Sequence, residues 1–238
     1  MISVCIATFN GELYIEEQIN SILLQIALDD EVVVSDDGSS DCTLDLLYKI
    51  QGKDNRIKIF KNNARHFKDN FENALRNSKG EIIFLSDQDD VWLDGKYNSM
   101  LKLLKDYDLI VHDSIVTDQN LNMIFPTFFK FHNSGKGIIK NIMKSYYYGS
   151  CMAFKREIYL KALPFPNTHE IGHDLWLGLV AEIYGKVLFY NKPLIYYRRH
   201  LKSITSIDLS IGKRSIIEKI KGRILMIYYI LKLIIKRK

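Results

Sequence analysis

The chain has 238 residues, of which 47% are hydrophobic and 26% charged, a composition typical of an ordinary globular protein. Intrinsic disorder, collagen and coiled coil are therefore excluded, and the chain has no run of about 18 uncharged apolar residues that would predict a membrane-spanning helix. The three cysteines are far apart and form no CxxC pair, which excludes a zinc ribbon or a disulfide framework.

The formal net charge of +5 is concentrated at one end of the chain. Residues 211–238 contain nine basic side chains and one acidic side chain, whereas residues 1–210 contain 24 basic and 27 acidic side chains. The basic residues of this tail are interleaved with Ile, Leu, Met and Tyr, a pattern that favours an anionic membrane surface over nucleic acid. We therefore predict a folded domain at 1–210, a basic amphipathic helical tail at 211–238, and no nucleic-acid partner.

Apolar runs and helical spacing predict that strands and helices alternate in the first 90 residues. Strands are expected at 2–7, 31–35, 57–60 and 81–86, and helices at 12–25, 43–50 and 67–77. The predicted strands are apolar throughout rather than alternating, which argues for a parallel sheet with helices on both faces. Ligands of such sheets bind at the carboxyl ends of the strands.

The second half of the chain is less regular. Helices are expected at 96–105 and 174–184, strands at 109–112, 150–154, 186–190 and 194–198, and a hairpin at 115–125. The tail contains only eight consecutive apolar residues, too few to span a bilayer, so it is either an interfacial helix or a helix docked on the domain. The predicted fold class is α/β, with a mostly parallel central sheet, flanking helices and a C-terminal helical extension.

Two acidic clusters directly follow predicted strands. Residues 87–90 read Asp-Gln-Asp-Asp, and an Asp-x-Asp after a strand suits a hard divalent cation that also binds a diphosphate, although solvated acidic turns are common. Residues 36–41 read Asp-Asp-Gly-Ser-Ser-Asp, where a carboxylate either accepts hydrogen bonds from a nucleotide or caps the next helix. Their position at strand ends makes both clusters candidate sites. We call residues 36–41 the first acidic cluster and residues 87–90 the second acidic cluster.

Four segments together resemble the bacterial family 2 glycosyltransferases, which have the GT-A nucleotide-diphospho-sugar transferase fold. They are residues 3–11 (Ser-Val-Cys-Ile-Ala-Thr-Phe-Asn-Gly), 35–41 (Ser-Asp-Asp-Gly-Ser-Ser-Asp), 84–92 (Phe-Leu-Ser-Asp-Gln-Asp-Asp-Val-Trp) and 197–200 (Tyr-Arg-Arg-His). The last segment is similar to a Tyr-Arg-x-His segment of the rhamnosyltransferase-like branch. The order and spacing agree over roughly residues 1 to 205.

The resemblance implies a metal-dependent enzyme that transfers a sugar from a nucleoside diphosphate to an acceptor hydroxyl with inversion. Asp89 is then the principal ligand of Mg²⁺ or Mn²⁺, and His200 is either a further ligand or a structural histidine. The residues expected to bind the nucleotide-sugar donor are Ala7, Thr8, Asn10, Asp36, Asp37, Asp87 and Arg198.

The resemblance also implies that Asp174 is the catalytic base, in the segment His173-Asp174 at the start of a predicted helix. A helix N-terminus lowers the pKa of a carboxylate. Burial or a neighbouring carboxylate must therefore raise the pKa of Asp174 if it is to act as a base. The alternative is that Asp174 only satisfies the free amides of the first helical turn.

The expected donor is dTDP-rhamnose, with UDP-hexoses and UDP-N-acetylhexosamines as alternatives. The expected acceptor is a lipid-linked saccharide of surface polysaccharide synthesis, which together with the tail predicts a cytoplasmic enzyme, peripheral on the inner face of the cell membrane. Met1 leads directly into an apolar run, so no signal peptide is expected. The alternative from another class is a nucleotide-binding scaffold without turnover. A dehydrogenase is disfavoured because no GxGxxG follows the first strand.

Overall fold

The computed structural model describes residues 1–199 and 216–236. The first half of the chain alternates strands and helices, as the apolar runs predict. These elements are β1 (Ile2–Thr8), α1 (Ile15–Leu23), β2 (Glu31–Asp36), α2 (Thr43–Gln51), β3 (Ile57–Lys61), α3 (Phe67–Asn77) and β4 (Ile82–Asp87). The boundary that we expect between domain and tail, at residues 210 and 211, lies outside the described residues.

The second half contains shorter and less regular elements. They are β5 (Val91–Trp92), α4 (Lys96–Leu103), β6 (Leu109–Thr117), β7 (Met123–Phe125), α5 (Phe128–His132), α6 (Ile138–Met143), β8 (Met152–Lys155), α7 (Arg156–Ala162), α8 (His173–Tyr184), β9 (Val187–Arg198) and α9 (Ile216–Lys236). The hairpin expected at 115–125 forms between β6 and β7. The segments β5, α5, α6 and α7 have no predicted counterpart, because elements of two to seven residues are too short to show a period.

Two strands expected at 186–190 and 194–198 are one continuous strand, which is a correction to the sequence-based prediction. β9 runs parallel to β6, and its register shifts between His112 and Ile115 of β6, opposite Pro193. Proline has no N–H to donate to the neighbouring strand, so Pro193 is typical of a position between two separate strands. The register shift accommodates Pro193 without ending the strand.

The described strands form one sheet in the order β3-β2-β1-β4-β8-β6-β9-β5, with β7 paired to β6. Strands β1 to β4 are mutually parallel because a helix crosses over between each consecutive pair. β8 then runs antiparallel to both β4 and β6. The sheet is therefore mixed, with a parallel N-terminal half, and the predicted α/β class is confirmed.

Helix α9 docks on the domain along one of its faces. The hydroxyl of Tyr184, on α8, donates to the Leu233 carbonyl at 3.0 Å, and the Trp176 ring, also on α8, lies edge-on to Tyr229 with ring centroids 6.2 Å apart. The buried side chains on this face of α9 are Met226, Ile230 and Leu233. Of the two arrangements left open for the tail, docking on the domain is thus the one observed. Among the described residues, no helix combines the length and the apolar character needed to cross a bilayer.

Helix α8 packs closely enough against its neighbours to require a glycine. Residues 175–181 of this helix are buried. A Cβ atom at Gly178 would lie 2.4 Å from three ring carbons of Tyr147, which is itself fully buried. The Tyr147 hydroxyl donates to Oε1 of Glu182 at 2.6 Å, and this hydrogen bond fixes the position of the ring. The ring of Tyr147 therefore occupies the space that any larger side chain at position 178 would need.

We expect Gly178→Ala to lower the free energy of unfolding by about 1–3 kcal/mol, because the added methyl group overlaps the ring of Tyr147. Gly52→Ala is the matched control. A Cβ at Gly52 meets its nearest neighbour at 3.5 Å, and its φ of −64° is helical, so stability should be unchanged or slightly higher. Denaturant unfolding measures both effects. Equal midpoints for the two variants would contradict this packing.

Candidate active site

The strand register brings the two acidic clusters to the same edge of the sheet. Ala7 of β1 is paired with Asp87 of β4, and Thr8 of β1 is paired with Asp36 of β2. The first acidic cluster therefore lies on one side of the carboxyl end of β1, and the second lies on the other side. This is the edge at which ligands of parallel α/β sheets bind.

The turn after β1 is tied to the first acidic cluster by hydrogen bonds. The Asn10 side-chain oxygen accepts the Ser40 N–H at 2.8 Å, and the Asn10 N–H donates to Oγ of Ser39 at 2.9 Å. Asn10 has a φ of 50°, a left-handed conformation that asparagine tolerates better than most residues. Asn10 therefore joins the two loops, and its contact with a nucleotide stays a prediction.

Asp36 and Asp37 are adjacent but have different partners. The Asp36 carboxylate accepts the N–H groups of Gly38 at 3.1 Å and Ser39 at 2.9 Å, so it stabilises its own turn. Asp37 instead accepts the N–H of Arg65, from the segment between β3 and α3, at 2.9 Å. Both aspartates are expected to bind the donor, and of these two Asp37 is the one that contacts another loop at this edge of the sheet.

Gln88, the central residue of Asp-x-Asp, connects this motif to the turn after β1. Its Oε1 accepts the Thr8 hydroxyl at 2.6 Å and the Phe9 N–H at 2.9 Å, and its Nε2 donates to the Phe9 carbonyl at 3.1 Å. A Cβ at Gly11 would lie 2.4 Å from this same Oε1, so the glycine leaves room for the amide. Sequence reasoning missed Gln88 because the middle position of the motif carries no signal of its own.

Negative charge is concentrated just beyond the end of β4. Burial, followed by the nearby carboxylates of Asp89 and Asp174, raises the pKa of Asp87 to about 7. Burial also raises the pKa of Asp90 well above its usual value. The structure thus brings Asp174 close to Asp87 and Asp89, which precede it by about 85 residues in the sequence.

Two cations act on this negative charge. Lys96, the first residue of α4, is fully buried, and its Nζ donates to the Ser150 carbonyl at 3.0 Å and lies 4.3 Å from the centre of the Trp92 ring. Burial lowers the pKa of Lys96 to about 7. Lys96 and Arg199 both favour the charged form of Asp87 and so lower its pKa. Lys96 was not among the expected site residues, because a lysine that opens a helix is normally exposed.

The guanidinium of Arg198 has structural partners. It donates to the Glu17 carboxylate and, at 3.1 Å, to the Gln119 carbonyl. The Arg198 N–H donates to Oδ1 of Asp90 at 3.1 Å, which fastens the end of β9 to the second acidic cluster. The binding of a diphosphate by Arg198 stays a prediction, and these contacts show that the residue also has a structural role.

Asp174 lies in the first turn of α8. Its Oδ1 accepts the N–H of Leu175 at 2.7 Å, and a Cβ at Gly172 would lie 2.5 Å from the same oxygen. Burial raises the pKa of Asp174 to about 6, and this effect outweighs the backbone N–H groups that lower it. A basic role for Asp174 requires that burial raise its pKa despite its place at a helix N-terminus, and burial has this effect. The preceding His173 is buried against Phe71, and burial lowers its pKa to about 3, so it packs as a neutral ring.

The segment that leads into α8 is fastened to α3 by two histidines. The rings of His66 and His169 stack with centroids 3.6 Å apart and an angle of 7° between their planes. Nδ1 of His66 accepts the N–H of Lys68, and a ring nitrogen of His169 lies 3.1 Å from Oδ2 of Asp69. Ligand atoms of these three His and Asp residues lie within 4.8 Å of one another, but a nitrogen of each ring is already hydrogen-bonded.

The second acidic cluster has the donor set of a divalent-cation site. Asp87 and Asp89 offer carboxylate oxygens, which are the ligands that Mg²⁺ and Mn²⁺ accept. Burial, followed by the carboxylates of Asp89 and Asp174, raises the pKa of Asp87, and a bound cation would favour the charged form of these carboxylates. The further ligand that we expect, His200, lies outside the described residues.

Comparison with known proteins agrees with this arrangement. A family model described as "Glycosyl transferase family 2" matches residues 3–162. The Campylobacter jejuni protein named "GalNAc(5)-diNAcBac-PP-undecaprenol beta-1,3-glucosyltransferase" is 29% identical, over 83% of this chain and 64% of its own length. The Escherichia coli protein WfgD, named "UDP-Glc:alpha-D-GlcNAc-diphosphoundecaprenol beta-1,3-glucosyltransferase", is 24% identical over 99% of this chain and 92% of its own length.

A solved structure with the same fold is that of S. aureus TarS in complex with UDP-GlcNAc. It matches with a TM-score of 0.68 at 20% identity, over 85% of this chain and 59% of the TarS chain. At this level of identity the likeness concerns the fold, which is the expected GT-A arrangement. The chain spans less than two thirds of the length of both TarS and the Campylobacter relative.

We expect Gln88→Ala to raise the Kd for a nucleoside diphosphate about tenfold in the presence of Mn²⁺, because the turn after β1 loses hydrogen bonds that each contribute about 1 kcal/mol. Gln51→Ala is the matched control, since the Gln51 amide also bonds a backbone carbonyl, that of Ile57, but away from this edge. Calorimetry measures both values. If the Gln88 variant binds the nucleoside diphosphate as tightly as the wild type, nucleotide binding does not depend on Gln88.

Proposed function

The chain belongs to glycosyl transferase family 2, and on that basis we propose that it transfers a hexose from a nucleoside diphosphate to a hydroxyl group of a lipid-linked saccharide. The observation that supports this best is the meeting of Asp174 with Asp87 and Asp89 at the carboxyl edge of the sheet. Burial raises the pKa of Asp174 towards that of a general base, and Asp87 and Asp89 offer the oxygen donors of a cation site. The acceptor class follows the names of the Campylobacter and E. coli relatives.

In the proposed reaction Asp174 acts as the general base. Its carboxylate takes the proton of the acceptor hydroxyl while that oxygen attacks the anomeric carbon from the face opposite the diphosphate. The bond between the anomeric carbon and the diphosphate oxygen breaks as the glycosidic bond forms, so the configuration inverts and the electron pair leaves with the diphosphate. A pKa of about 6 leaves Asp174 mostly ionised at neutral pH and yet basic enough to hold the proton.

The remaining site residues bind and orient the donor. A divalent cation held by Asp89, either Mg²⁺ or Mn²⁺, would offset the charge that develops on the departing diphosphate. Asp87 would hold the ribose or orient waters of the cation. Asp37 would bind the base, on the other side of the turn formed by Thr8 and Asn10.

For the donor we propose a UDP-hexose, ahead of dTDP-rhamnose. The name of the E. coli relative specifies UDP-Glc, and TarS was solved with UDP-GlcNAc. The expectation of dTDP-rhamnose rested on the segment 197–200, in which Arg198 is bonded to Glu17 and Gln119. We further propose that the protein works at the cytoplasmic face of the membrane, where a lipid-linked acceptor is presented.

The full chain, supplied with Mn²⁺ and a GlcNAc-diphospho-lipid, tests this function against UDP-glucose, UDP-galactose, UDP-GlcNAc and dTDP-rhamnose in turn. We expect transfer from one UDP-hexose, with an inverted anomeric configuration in the NMR spectrum of the product. Asp174→Asn should lower kcat about 10²–10⁴-fold, because it removes the base without changing the shape of the side chain. Asp106→Asn, at an exposed position, is the matched control and should keep full activity.

Two results would contradict this proposal. Binding of UDP with Mn²⁺ but no transfer from any of the four donors would favour the nucleotide-binding scaffold. Full activity of Asp174→Asn would assign the base to a different residue, and normal UDP binding by that variant shows that its fold is intact.

We expect kcat to fall as the pH drops below about 6. The reason is that the folded-state pKa of Asp174 lies near 6, above the ordinary value of a carboxyl group, and the protonated carboxyl group cannot accept a proton. A pH–rate profile at saturating donor and Mn²⁺ measures this dependence. An inflection at the ordinary aspartate pKa, near 4, would show that burial does not set the pKa of Asp174 in the enzyme with bound Mn²⁺.

A further inference from the structure

Helix α9 has a second face, opposite the face that docks on the domain. Exposed apolar side chains recur on it at intervals of three or four residues, so they line one side of the helix. Between 42% and 72% of each side chain is exposed. From residue 220 to residue 235 the helix rises fifteen times by about 1.5 Å, so this surface is about 22 Å long. We call it the apolar stripe, and its residues are Ile220, Ile224, Ile227, Tyr228, Leu231, Ile234 and Ile235.

Basic side chains flank the apolar stripe. Lys221 and Lys232 are exposed and lie eleven residues apart, which is about three helical turns, so both are on the same edge of the stripe. Arg223 lies on the other edge and donates to the Met143 carbonyl at 3.1 Å. Between residues 220 and 235 the sequence contains no acidic residue. The stripe is therefore an apolar surface with a positively charged border.

Exposed apolar side chains also occur on the neighbouring helix α6. Helix α6 packs against α9, and two of its side chains, Ile139 and Met143, are 80% and 57% exposed. A single exposed apolar residue needs no explanation, but a row of seven along one side of α9 marks an interaction surface.

We propose that the apolar stripe lies in the interface of a bilayer that contains anionic phospholipid, with the axis of α9 parallel to the bilayer surface. An apolar face between lysines matches this environment, because the apolar side chains enter the acyl boundary while the ammonium groups meet the phosphates. A second copy of the chain fits less well. A symmetric contact through the stripe would bring Lys221 and Lys232 of both copies together without an acidic residue of either stripe between them.

This inference rests on the proposed function, because membrane binding would give the protein access to a lipid-linked acceptor. The docked face of α9 contacts Trp176 and Tyr184 of α8, and the same helix α8 begins with Asp174 in its first turn. The stripe and the proposed base are thus joined through one buried helix. A protein held on the bilayer by the stripe would keep Asp174 at a constant height above the lipid that bears the acceptor.

Vesicle flotation of the full chain tests this inference without any donor or acceptor. We expect the wild type to float with vesicles of phosphatidylcholine and phosphatidylglycerol, and the double variant Ile224→Glu/Leu231→Glu to bind at least about tenfold more weakly. Leu24→Glu/Leu28→Glu is the matched control, because these side chains are 87% and 89% exposed away from α9. It should float like the wild type, and circular dichroism checks that each variant is folded.

A second pair of substitutions tests the charged border. Lys221→Gln/Lys232→Gln should lower binding to the anionic vesicles about tenfold and leave binding to phosphatidylcholine vesicles unchanged. The inference is overturned if the wild type does not float, or if the stripe variant floats like the wild type. It is also overturned if light scattering shows a wild-type dimer that the stripe variant makes monomeric, since the stripe then binds a second copy.

Flotation and sugar transfer fail independently of one another. Loss of transfer by a protein that floats would reject the proposed function and leave the lipid surface standing. Transfer to a water-soluble acceptor by a protein that does not float would reject the lipid-binding surface and leave the proposed transfer reaction standing.

Discussion

Three carboxylates, those of Asp87, Asp90 and Asp174, are partly or fully buried near the carboxyl end of β4, and burial raises the pKa of each. Like charges in such surroundings repel one another unless something positive faces them. This constraint accounts for two features that are unusual by themselves. A lysine, Lys96, is fully buried at the start of α4, and the end of β9 returns to donate the Arg198 N–H to Asp90. A divalent cation would complete the same compensation.

The parallel half of the sheet and the position of the acidic clusters were predictable, because strands buried on both faces are apolar runs that end at turn residues. The insertion of β8 between β4 and β6 was not, since a strand of four residues finds its partners only in the folded chain. The same is true of side chains whose partners are distant in sequence. Gln88 bonds Phe9 and Lys96 bonds Ser150, and neither pairing leaves a local pattern. Asp174 was predictable as a candidate from the family resemblance, but its raised pKa depends on burial.

Helix α8 combines two tasks that in many proteins fall to separate elements. Its first turn presents Asp174 to the acidic edge of the sheet, while Trp176 and Tyr184 further along support α9. The close contact of Gly178 with Tyr147 limits how far this helix can shift. A displacement of α9 would therefore be transmitted along a stiff element to the base, rather than absorbed by a loop.

The amide of Gln88 has a consequence for the engineering of donor specificity. Because it bonds both the hydroxyl of Thr8 and the backbone of Phe9, the segment around Asp87 and Asp89 is matched to a turn nearly 80 residues earlier in the chain. A chimera that takes only one of these two segments from a relative would combine a turn and an acidic cluster from different proteins, which need not form these hydrogen bonds. A chimera should therefore exchange the turn after β1, including Gly11, together with the second acidic cluster.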